Sequence, residues 1–339
     1  MADTVLDQIV DRLRDSATDA FPQHSKLRSV RVAGHSPKDG HCTYEIILDF
    51  ADARERVNAR IYRSGKKGAL SAPERASRES ANLQRISEAS IRHNLEGVPR
   101  AIGDFAALGA VVSTRINGLP LQSILMKIAL LPDVASVRGL DLAARRAGEW
   151  LRRFHEATAA GSQPVDARAL FSEIERLCAQ GRQDGLEKAS VQSILEYVGT
   201  SLANVTKPQP FSAVLNEFLP LNVLISDRGV GFSEFANLSL QGLSLLDAAT
   251  FLAAVETLEK YPFCDRILIS RVQDSFLPAC GMEAQEQQLL TVLKLGELLR
   301  MFAQGRAAKD GALRKKIMWA NVMKRFVQNA AERSMAPAA

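Results

Sequence analysis

The sequence has no apolar run long enough to cross a membrane. A membrane-spanning helix needs about 20 consecutive apolar residues, and the longest apolar runs here are much shorter. Acidic side chains occur throughout residues 1–21, which is not the pattern of a signal peptide. We therefore expect neither a membrane span nor a secretory leader.

Cysteine is scarce, and no two cysteines are close together in the sequence. Cys42, Cys178, Cys264 and Cys280 lie far apart in the chain. Zinc sites and disulfide frameworks need closely or regularly spaced cysteines. The pattern excludes both and fits a reducing compartment, so we expect a cytoplasmic protein.

A strong charge of one sign is also missing. The chain has 43 basic and 38 acidic residues, a net charge of +5. This mild basicity permits an anionic ligand but gives no reason to expect nucleic acid as a partner. With 339 residues, 46% hydrophobic and 24% charged, the chain is long enough for two lobes, each with its own core.

The first part of the chain changes from a helical to a strand pattern. Apolar residues from Val5 to Leu13 recur at helical spacing, which predicts an N-terminal helix within residues 1–26. Residues 27–113 predict a β-rich lobe, with strands at 29–33, 43–50, 56–62, 101–105 and 110–113. The loop at 34–40 could close a hairpin or cover a phosphate.

Arg60 and Glu79 are the first candidate site residues. Val57, Ala59 and Ile61 share one face of a predicted strand, so Arg60 lies on the other. Glu79 is central in a helix that begins near Pro73. Such a cation and carboxylate can form an ion pair that braces a phosphate-binding group. The alternative is that both are ordinary surface charges.

Residues 114–121 contain Gly118 and Pro120 and predict a hinge before a mainly helical lobe at 122–311. A strong helix is predicted over 140–158, and His155 near its end is expected to be a hydrogen-bonded core histidine.

A stretch in the second lobe has the composition of a phosphoryl-transfer site. Glu217 is followed five positions later by Asn222, then by an apolar run, a turn with Gly229 and Gly231, and Glu234. In such sites one acid orients the substrate hydroxyl, while an amide and a second acid bind magnesium. The alternative for Asn222 is ordinary turn chemistry.

Other charged groups leave their roles open. Glu256, Glu259 and Asp265 could line a pocket for a cationic substrate or could be helix-surface charges. Residues 312–339 contain a basic amphipathic helix, predicted at 313–331. It could lie on an anionic membrane or receive a partner, and we expect it to pack on its own domain.

Over residues 27–302 the chain resembles the aminoglycoside phosphotransferase and choline kinase-like family. The resemblance is carried by the Glu79 helix, the segment 115–118 as hinge, the leucine and histidine at Leu151 and His155, the Asn222 segment, and Asp247 as the aspartate that anchors the end of the metal-binding segment. It implies an α+β, two-lobed protein-kinase-like fold. It also implies ATP and magnesium as cofactors, with a hydroxylated small molecule or a protein as partner.

The resemblance also assigns roles. Glu217 would be the catalytic base, Asn222 and Glu234 the magnesium ligands, and Arg60, Glu79, Thr114 and Ile116 the nucleotide contacts. Five positions depart from the family, which has lysine at Arg60, histidine-glycine-aspartate at 215–217, and aspartate at Glu234.

These departures predict impaired catalysis. Each glutamate in place of aspartate moves the carboxylate by about 1 Å, a displacement that can lower a rate about a hundredfold. Guanidinium also differs from ammonium in shape and hydrogen bonding. We therefore expect a divergent, pseudokinase-like protein that could bind nucleotide. The alternative is an active ATP-dependent phosphotransferase that uses Glu217, Asn222 and Glu234.

Overall fold

The computed structural model describes residues 2–38, 40–63, 70–261, 263–283 and 286–307. The chain divides into two units. One comprises Met1–Gly118 and Gly231–Leu238, and the other comprises Leu119–Val230 and Ser239–Ala339. The first boundary falls inside the predicted hinge at 114–121. The helix predicted at 313–331 lies outside the described residues.

The first unit is built on a four-stranded antiparallel sheet with strand order β1-β2-β3-β4. Its strands are β1 (Leu27–Lys38), β2 (His41–Phe50), β3 (Arg54–Tyr62) and β4 (Ala110–Thr114), and its helices are α1 (Ala2–Ala20) and α2 (Ala72–Arg92). The predicted N-terminal helix is present. Its apolar stripe, Ile9, Leu13 and Ala17, is fully buried and joins the hydrophobic core with residues of the sheet.

The hairpin alternative for residues 34–40 is confirmed. β1 and β2 stay in register from Gly34 opposite Glu45 to Lys38 opposite His41, so the strands run through most of the predicted loop. The strand predicted at 101–105 is wrong, because only a single bridge joins Ala101 to Ser113. Gly103 has a φ of +63°, which breaks the extended backbone.

Helix α2 begins at a capping box formed by Ser71 and Glu74. This satisfies backbone N–H groups that the first helical turn leaves unpaired. One face of α2 buries Glu79 and Asn82. Asn82 Nδ2 donates to the carbonyl oxygen of Leu238 at 3.2 Å, and Phe232 N donates to Gly97 O at 3.0 Å. These bonds attach residues 231–238 to the first unit, whereas the sequence placed them in the second lobe.

The second unit is mainly helical. Its helices are α3 (Leu121–Leu130), α4 (Val134–Ala157), α5 (Ala167–Gln183), α6 (Lys188–Ala203), α7 (Leu245–Glu256), α8 (Arg266–Phe276) and α9 (Gln287–Ala307). Its strands are β5 (Leu119–Pro120), β6 (Ser162–Gln163), β7 (Gln209–Val214), β8 (Val223–Ser226) and β10 (Ser239–Leu243), and β9 (Gly229–Phe232) continues into the first unit. Strands β10, β7 and β6 form one sheet in that order.

The predicted helix at 140–158 is present as α4 but begins six residues earlier, at Val134. It starts there because the Asp133 side chain accepts a bond from Ser136 N at 2.9 Å and caps the helix. No helix in the described ranges is long and apolar enough to span a bilayer. The architecture is α+β, as predicted.

Aromatic stacking organises the core around the segment that carries Glu217. The Phe218 ring stacks on Trp150 of α4, with centroids 6.0 Å apart, and its centroid lies 5.7 Å from that of Phe251 in α7. Phe251 stacks in turn on Phe276 of α8, at 3.9 Å. These contacts fix the backbone next to Glu217 against three helices.

Candidate functional site

A buried charged cluster in the first unit brings together three of the predicted site residues. Arg60 lies on β3, Glu79 on α2, and Glu234 just after β9. Arg60 Nη2 lies 2.7 Å from Glu234 Oε1, and Arg60 Nη1 forms an ion pair with Glu79 Oε1. The three side chains are 11%, 5% and 4% exposed. The alternative that Arg60 and Glu79 are surface charges is therefore wrong.

Tyr62 is a fourth member that the sequence analysis missed. It is two residues from Arg60 on β3, and side chains two apart on a strand share a face. Its hydroxyl donates to Glu79 Oε2. The alternation of β3 already placed Tyr62 on the same face as Arg60. Tyrosine is common on half-buried strands, however, so its presence there does not by itself indicate a site residue.

Burial dominates the electrostatics of this cluster. It raises the pKa of the Glu79 carboxyl group, although Arg60 acts in the opposite direction. Burial and the nearby Glu79 carboxylate also raise the pKa of Tyr62. Burial disfavours the charged form of Arg60, but the carboxylates of Glu79 and Glu234 outweigh it and raise the pKa of the guanidinium. Arg60 thus remains a cation.

Glu234, a predicted magnesium ligand, already has partners within the first unit. Its Oε1 atom already faces the guanidinium of Arg60 at 2.7 Å and also accepts a bond from Ala236 N at 3.4 Å. Magnesium requires near-octahedral oxygen coordination, and a fixed cation beside this oxygen opposes a second one. Within the described residues, no three side chains of His, Cys, Asp or Glu form a group that could hold a metal.

In the second unit, Asp247 organises the segment that precedes Glu217. This aspartate lies in the first turn of α7 and is fully buried. Its Oδ2 accepts from Leu215 N and its Oδ1 from Asn216 N, both at 2.9 Å. The sequence assigned Asp247 to the end of the metal-binding segment. The structure shows that it binds the backbone of residues 215–216 instead.

The expectation for His155 is confirmed. Its Nε2 lies 3.1 Å from Asp247 Oδ2, and its side chain is 15% exposed. It is a hydrogen-bonded histidine packed at the end of α4. His155 also connects α4 to the aspartate that fixes residues 215–216.

Asn216 adopts the left-handed conformation, with a φ of 61°. The resembled family has glycine at this position, and asparagine is among the few other residues that adopt this conformation readily. Its Nδ2 donates to Ser239 Oγ at 2.9 Å. Asn216 thus holds a backbone conformation that glycine adopts readily.

Glu217 and Asn222 lie together in the second unit. Asn222 is buried, and its Nδ2 donates to the backbone oxygen of Glu217 at 3.0 Å. This bond closes the turn between the two residues, as the alternative of turn chemistry predicts. Leu215 is fully buried and extends the core.

The two predicted nucleotide contacts at the hinge have structural partners in the first unit. Thr114 Oγ1 accepts a bond from Arg100 N at 2.8 Å. The Ile116 side chain packs against Gly231. A Cβ atom added at Gly231 would collide with Ile116 Cγ2. A role in nucleotide binding for Thr114 and Ile116 remains a prediction.

The acids proposed for a cationic-substrate pocket have other partners. Glu256 is 3% exposed and lies 2.9 Å from Lys294 Nζ, so its interpretation as a surface charge is wrong. Asp265 caps α8 by accepting from Leu268 N at 2.7 Å. The sequence could not show whether Glu256 is buried or exposed, because the residues of α7 are apolar on nearly all faces of the helix.

Comparison with known proteins gives matches only among solved structures. One match is a glucosamine kinase, with 15% sequence identity and a TM-score of 0.57. The alignment covers 92% of this chain and 97% of the glucosamine kinase chain. Another structure of a glucosamine kinase, at a TM-score of 0.53, is in complex with glucosamine, ADP and inorganic phosphate. A choline kinase from Cryptosporidium parvum covers 97% and 96% of the two chains, with 12% identity and a TM-score of 0.55.

A further match is an aminoglycoside phosphotransferase, with 13% sequence identity and a TM-score of 0.50. The alignment covers 96% of this chain and 100% of the phosphotransferase chain. No protein-family model and no curated protein matches the sequence. The resemblance found in the sequence is confirmed at the level of the fold: the chain has the fold of kinase-like small-molecule phosphotransferases.

Proposed function

We propose that this chain is a divergent kinase-fold protein with little or no phosphotransferase activity. The observation that carries the proposal is the closed cluster of Arg60, Glu79 and Glu234. In kinases a strand cation paired with a helix glutamate contacts the nucleotide phosphates, and a separate acid holds magnesium. Here the cation engages both acids, so the groups needed for these two tasks neutralise each other.

The charge balance of the cluster supports the same conclusion. One guanidinium faces two carboxylates, which leaves no positive excess when both acids are ionised. A polyphosphate is strongly anionic and needs a positive site or a metal ion for binding in a partly buried place. Because Arg60 holds the Oε1 atom of Glu234, we propose that nucleotide binding, where it occurs, is weak and independent of magnesium.

A second candidate, an active phosphotransferase, is favoured by the Asp247 anchor. Two backbone amides, those of Leu215 and Asn216, are fixed by its carboxylate. This arrangement holds the segment leading to Glu217 in one conformation, as a catalytic base requires. The ADP and glucosamine of the solved complex suggest ATP and hydroxylated amines or sugars as the ligands to test.

The test combines calorimetry and turnover on the full chain. ADP and a nonhydrolysable ATP analogue are titrated with and without magnesium. ATP turnover is then measured with a panel of amino sugars and amino alcohols. We expect weak or no nucleotide binding, no gain from magnesium, and turnover equal to that of Glu217→Ala. Glu149→Ala is the matched control, because the Glu149 side chain on α4 is 46% exposed.

Turnover that Glu217→Ala abolishes, and Glu149→Ala preserves, would establish the second candidate and overturn the first. The double substitution Arg60→Lys with Glu234→Asp sharpens the test, because it restores the residue types of the resembled family. We expect it to introduce a magnesium dependence of nucleotide binding that the unmodified chain lacks.

A further inference from the structure

The second unit contains a cavity of about 340 Å³ that has no part in the proposed function. It lies between the end of α4, the start of β7, the start of α7 and the turn that follows α8. Its walls are mainly apolar and include Leu151, Ala159, Phe211, Leu245, Ala248 and Met282. The volume is within the range of about 300–1,000 Å³ found for small-molecule sites.

Two polar contacts at the cavity are already satisfied by the protein. Arg152 Nη1 pairs with Glu156 Oε1 at 2.8 Å, and the hydroxyl groups of Ser244 and Ser212 bond at 2.8 Å. The charge of Arg152 is thereby balanced by Glu156, and the Ser244 hydroxyl has a partner within the protein.

Two acceptors at the cavity retain capacity for a ligand. His155 uses Nε2 toward Asp247. When that nitrogen carries the proton, the neutral ring presents Nδ1 as an acceptor. Glu286 accepts a bond from Glu283 N through Oε2 at 2.7 Å, and a carboxylate has a second oxygen for further bonds. Each of these two groups can therefore accept a hydrogen bond from a donor on a ligand.

We propose that this cavity binds a small organic amine, an apolar body that carries a protonated nitrogen. The apolar walls accommodate the body. An ammonium group has only donors and no acceptor, which complements His155 Nδ1 and Glu286. Arg152 and Glu156 neutralise each other, so Glu286 leaves the rim with one negative charge. That charge favours a cation over an anion.

The cavity is connected to the segment that carries Glu217. A ligand bonded to His155 restrains the imidazole, which bonds to Asp247, and Asp247 holds the amides of Leu215 and Asn216. Binding of the amine therefore steadies residues 215–216. All of these residues belong to the second unit, so the site does not depend on whether the chain transfers phosphate.

The test is calorimetric titration of the full chain with phenylethylamine, phenylethanol and phenylacetate, which share a ring and differ in the polar group. We expect saturable binding of the amine, at least about tenfold tighter than the alcohol, and the weakest binding for the carboxylate. Equal affinity for the three probes, tighter binding of the carboxylate, or no binding of the amine at millimolar concentration would overturn the proposal.

Two matched variants locate the site. Ala159 is exposed and lines the cavity, so Ala159→Trp should block it with little effect on the fold, whereas the exposed neighbour Ala160 does not line it. We expect Ala159→Trp to abolish amine binding and Ala160→Trp to preserve it. Glu286→Gln should reduce the preference for the amine over the alcohol. Amine binding unaffected by Ala159→Trp would place the ligand elsewhere and refute the site.

Hydrogen exchange tests the connection to residues 215–216. On addition of the amine, the amides of Leu215 and Asn216 should exchange more slowly in the unmodified chain and in Ala160→Trp, but not in Ala159→Trp. Unchanged exchange at both amides in the amine-saturated chain would refute the coupling through His155 and Asp247.

Discussion

The two units each contain buried carboxylates, and the partners of these carboxylates differ. In the first unit Glu79 and Glu234 face the guanidinium of Arg60. In the second unit Asp247 accepts from two backbone amides and contacts His155. The first arrangement pairs side-chain charges with one another, whereas the second uses one charge to fix a backbone segment. Side-chain charges are thus paired with one another in the first unit, while in the second unit one carboxylate fixes the backbone that precedes Glu217.

The largest effect is expected from removing the cation of the first cluster. Arg60→Met removes the cation that two buried carboxylates face, and breaking a buried ion pair in this way costs about 3–5 kcal/mol. The free energy of unfolding, measured by urea denaturation, should fall by that amount. Arg78→Met, at an exposed position on α2, should change it by less than about 0.5 kcal/mol.

Equal free energies of unfolding for Arg60→Met and Arg78→Met would show that the buried cluster contributes nothing to stability. The contrast between the two units would then be wrong. A triple variant that adds Glu79→Gln and Glu234→Gln removes the two negative charges that Arg60 balances. It should recover part of the loss, since the remaining cost is only that of unsatisfied polar groups.

A somewhat smaller effect is expected from Asp247→Ala in the second unit. The change removes the acceptor of the Leu215 amide, which is buried, and of the Asn216 amide, which is partly buried, at a cost of up to about 3 kcal/mol for the first and less for the second. We expect a total loss of about 2–4 kcal/mol in urea unfolding and faster hydrogen exchange at both amides. Asp227→Ala, in the exposed turn after β8, is the control. Equal stability of the two variants would show that Asp247 does not hold the segment.

The close packing of α4 in the second unit gives a third test. A Cβ atom at Gly148 would lie 3.0 Å from Ala279 Cβ and still closer to the carbonyl oxygen of Phe276. Gly148→Ala should therefore destabilise the protein by about 1–3 kcal/mol, as overpacking does. Gly139, in the same helix, has nothing within 4 Å of such an atom, so Gly139→Ala should stabilise by up to about 1 kcal/mol. Thermal unfolding of both variants measures the contrast, and a stabilising Gly148→Ala would contradict the packing.

Local patterns predicted the positions of single residues well. The alternation of β3 placed Arg60 opposite the buried Val57, Ala59 and Ile61, and the sequence around Pro73 placed Glu79 within a helix. Both inferences need only the geometry of one element. The resemblance to a known family supplied the fold, because the order of segments along the chain is itself informative about topology.

Long-range partners were not predictable in the same way. The pairing of Arg60 with Glu234 depends on how residues 231–238 leave β9, and that path is set by bonds such as Asn82 to Leu238. Likewise, Asp247 was assigned to the wrong segment, because its bonds to residues 215–216 span the turn at 217–222 and strands β8 to β10. Such contacts follow from packing of the whole unit, which periodicity does not encode.

The smallest expected effect concerns an ion pair at the surface of the first unit, which sharpens the contrast with the buried clusters. His24 Nε2 lies 2.8 Å from Glu55 Oε1, and Nδ1 lies 3.5 Å from Asp52 Oδ2. The hydrogen bond with Glu55 is the main reason that the pKa of His24 is raised above its ordinary value of 6.5. The folded chain therefore binds this proton more tightly than the unfolded chain does.

The sign of the pH dependence follows from linkage. A group whose pKa is raised by folding contributes stability that is fully present below the unfolded pKa and is lost as the pH rises through the folded pKa. Between about pH 6 and pH 8, the thermal midpoint of the unmodified chain should therefore fall more than that of His24→Gln. His93→Gln, at an exposed position, should follow the unmodified chain. If the thermal midpoint of His24→Gln falls as steeply as that of the unmodified chain, protonation of His24 is not coupled to folding. Pairing of a cation with carboxylates would then stabilise this protein only where water is excluded.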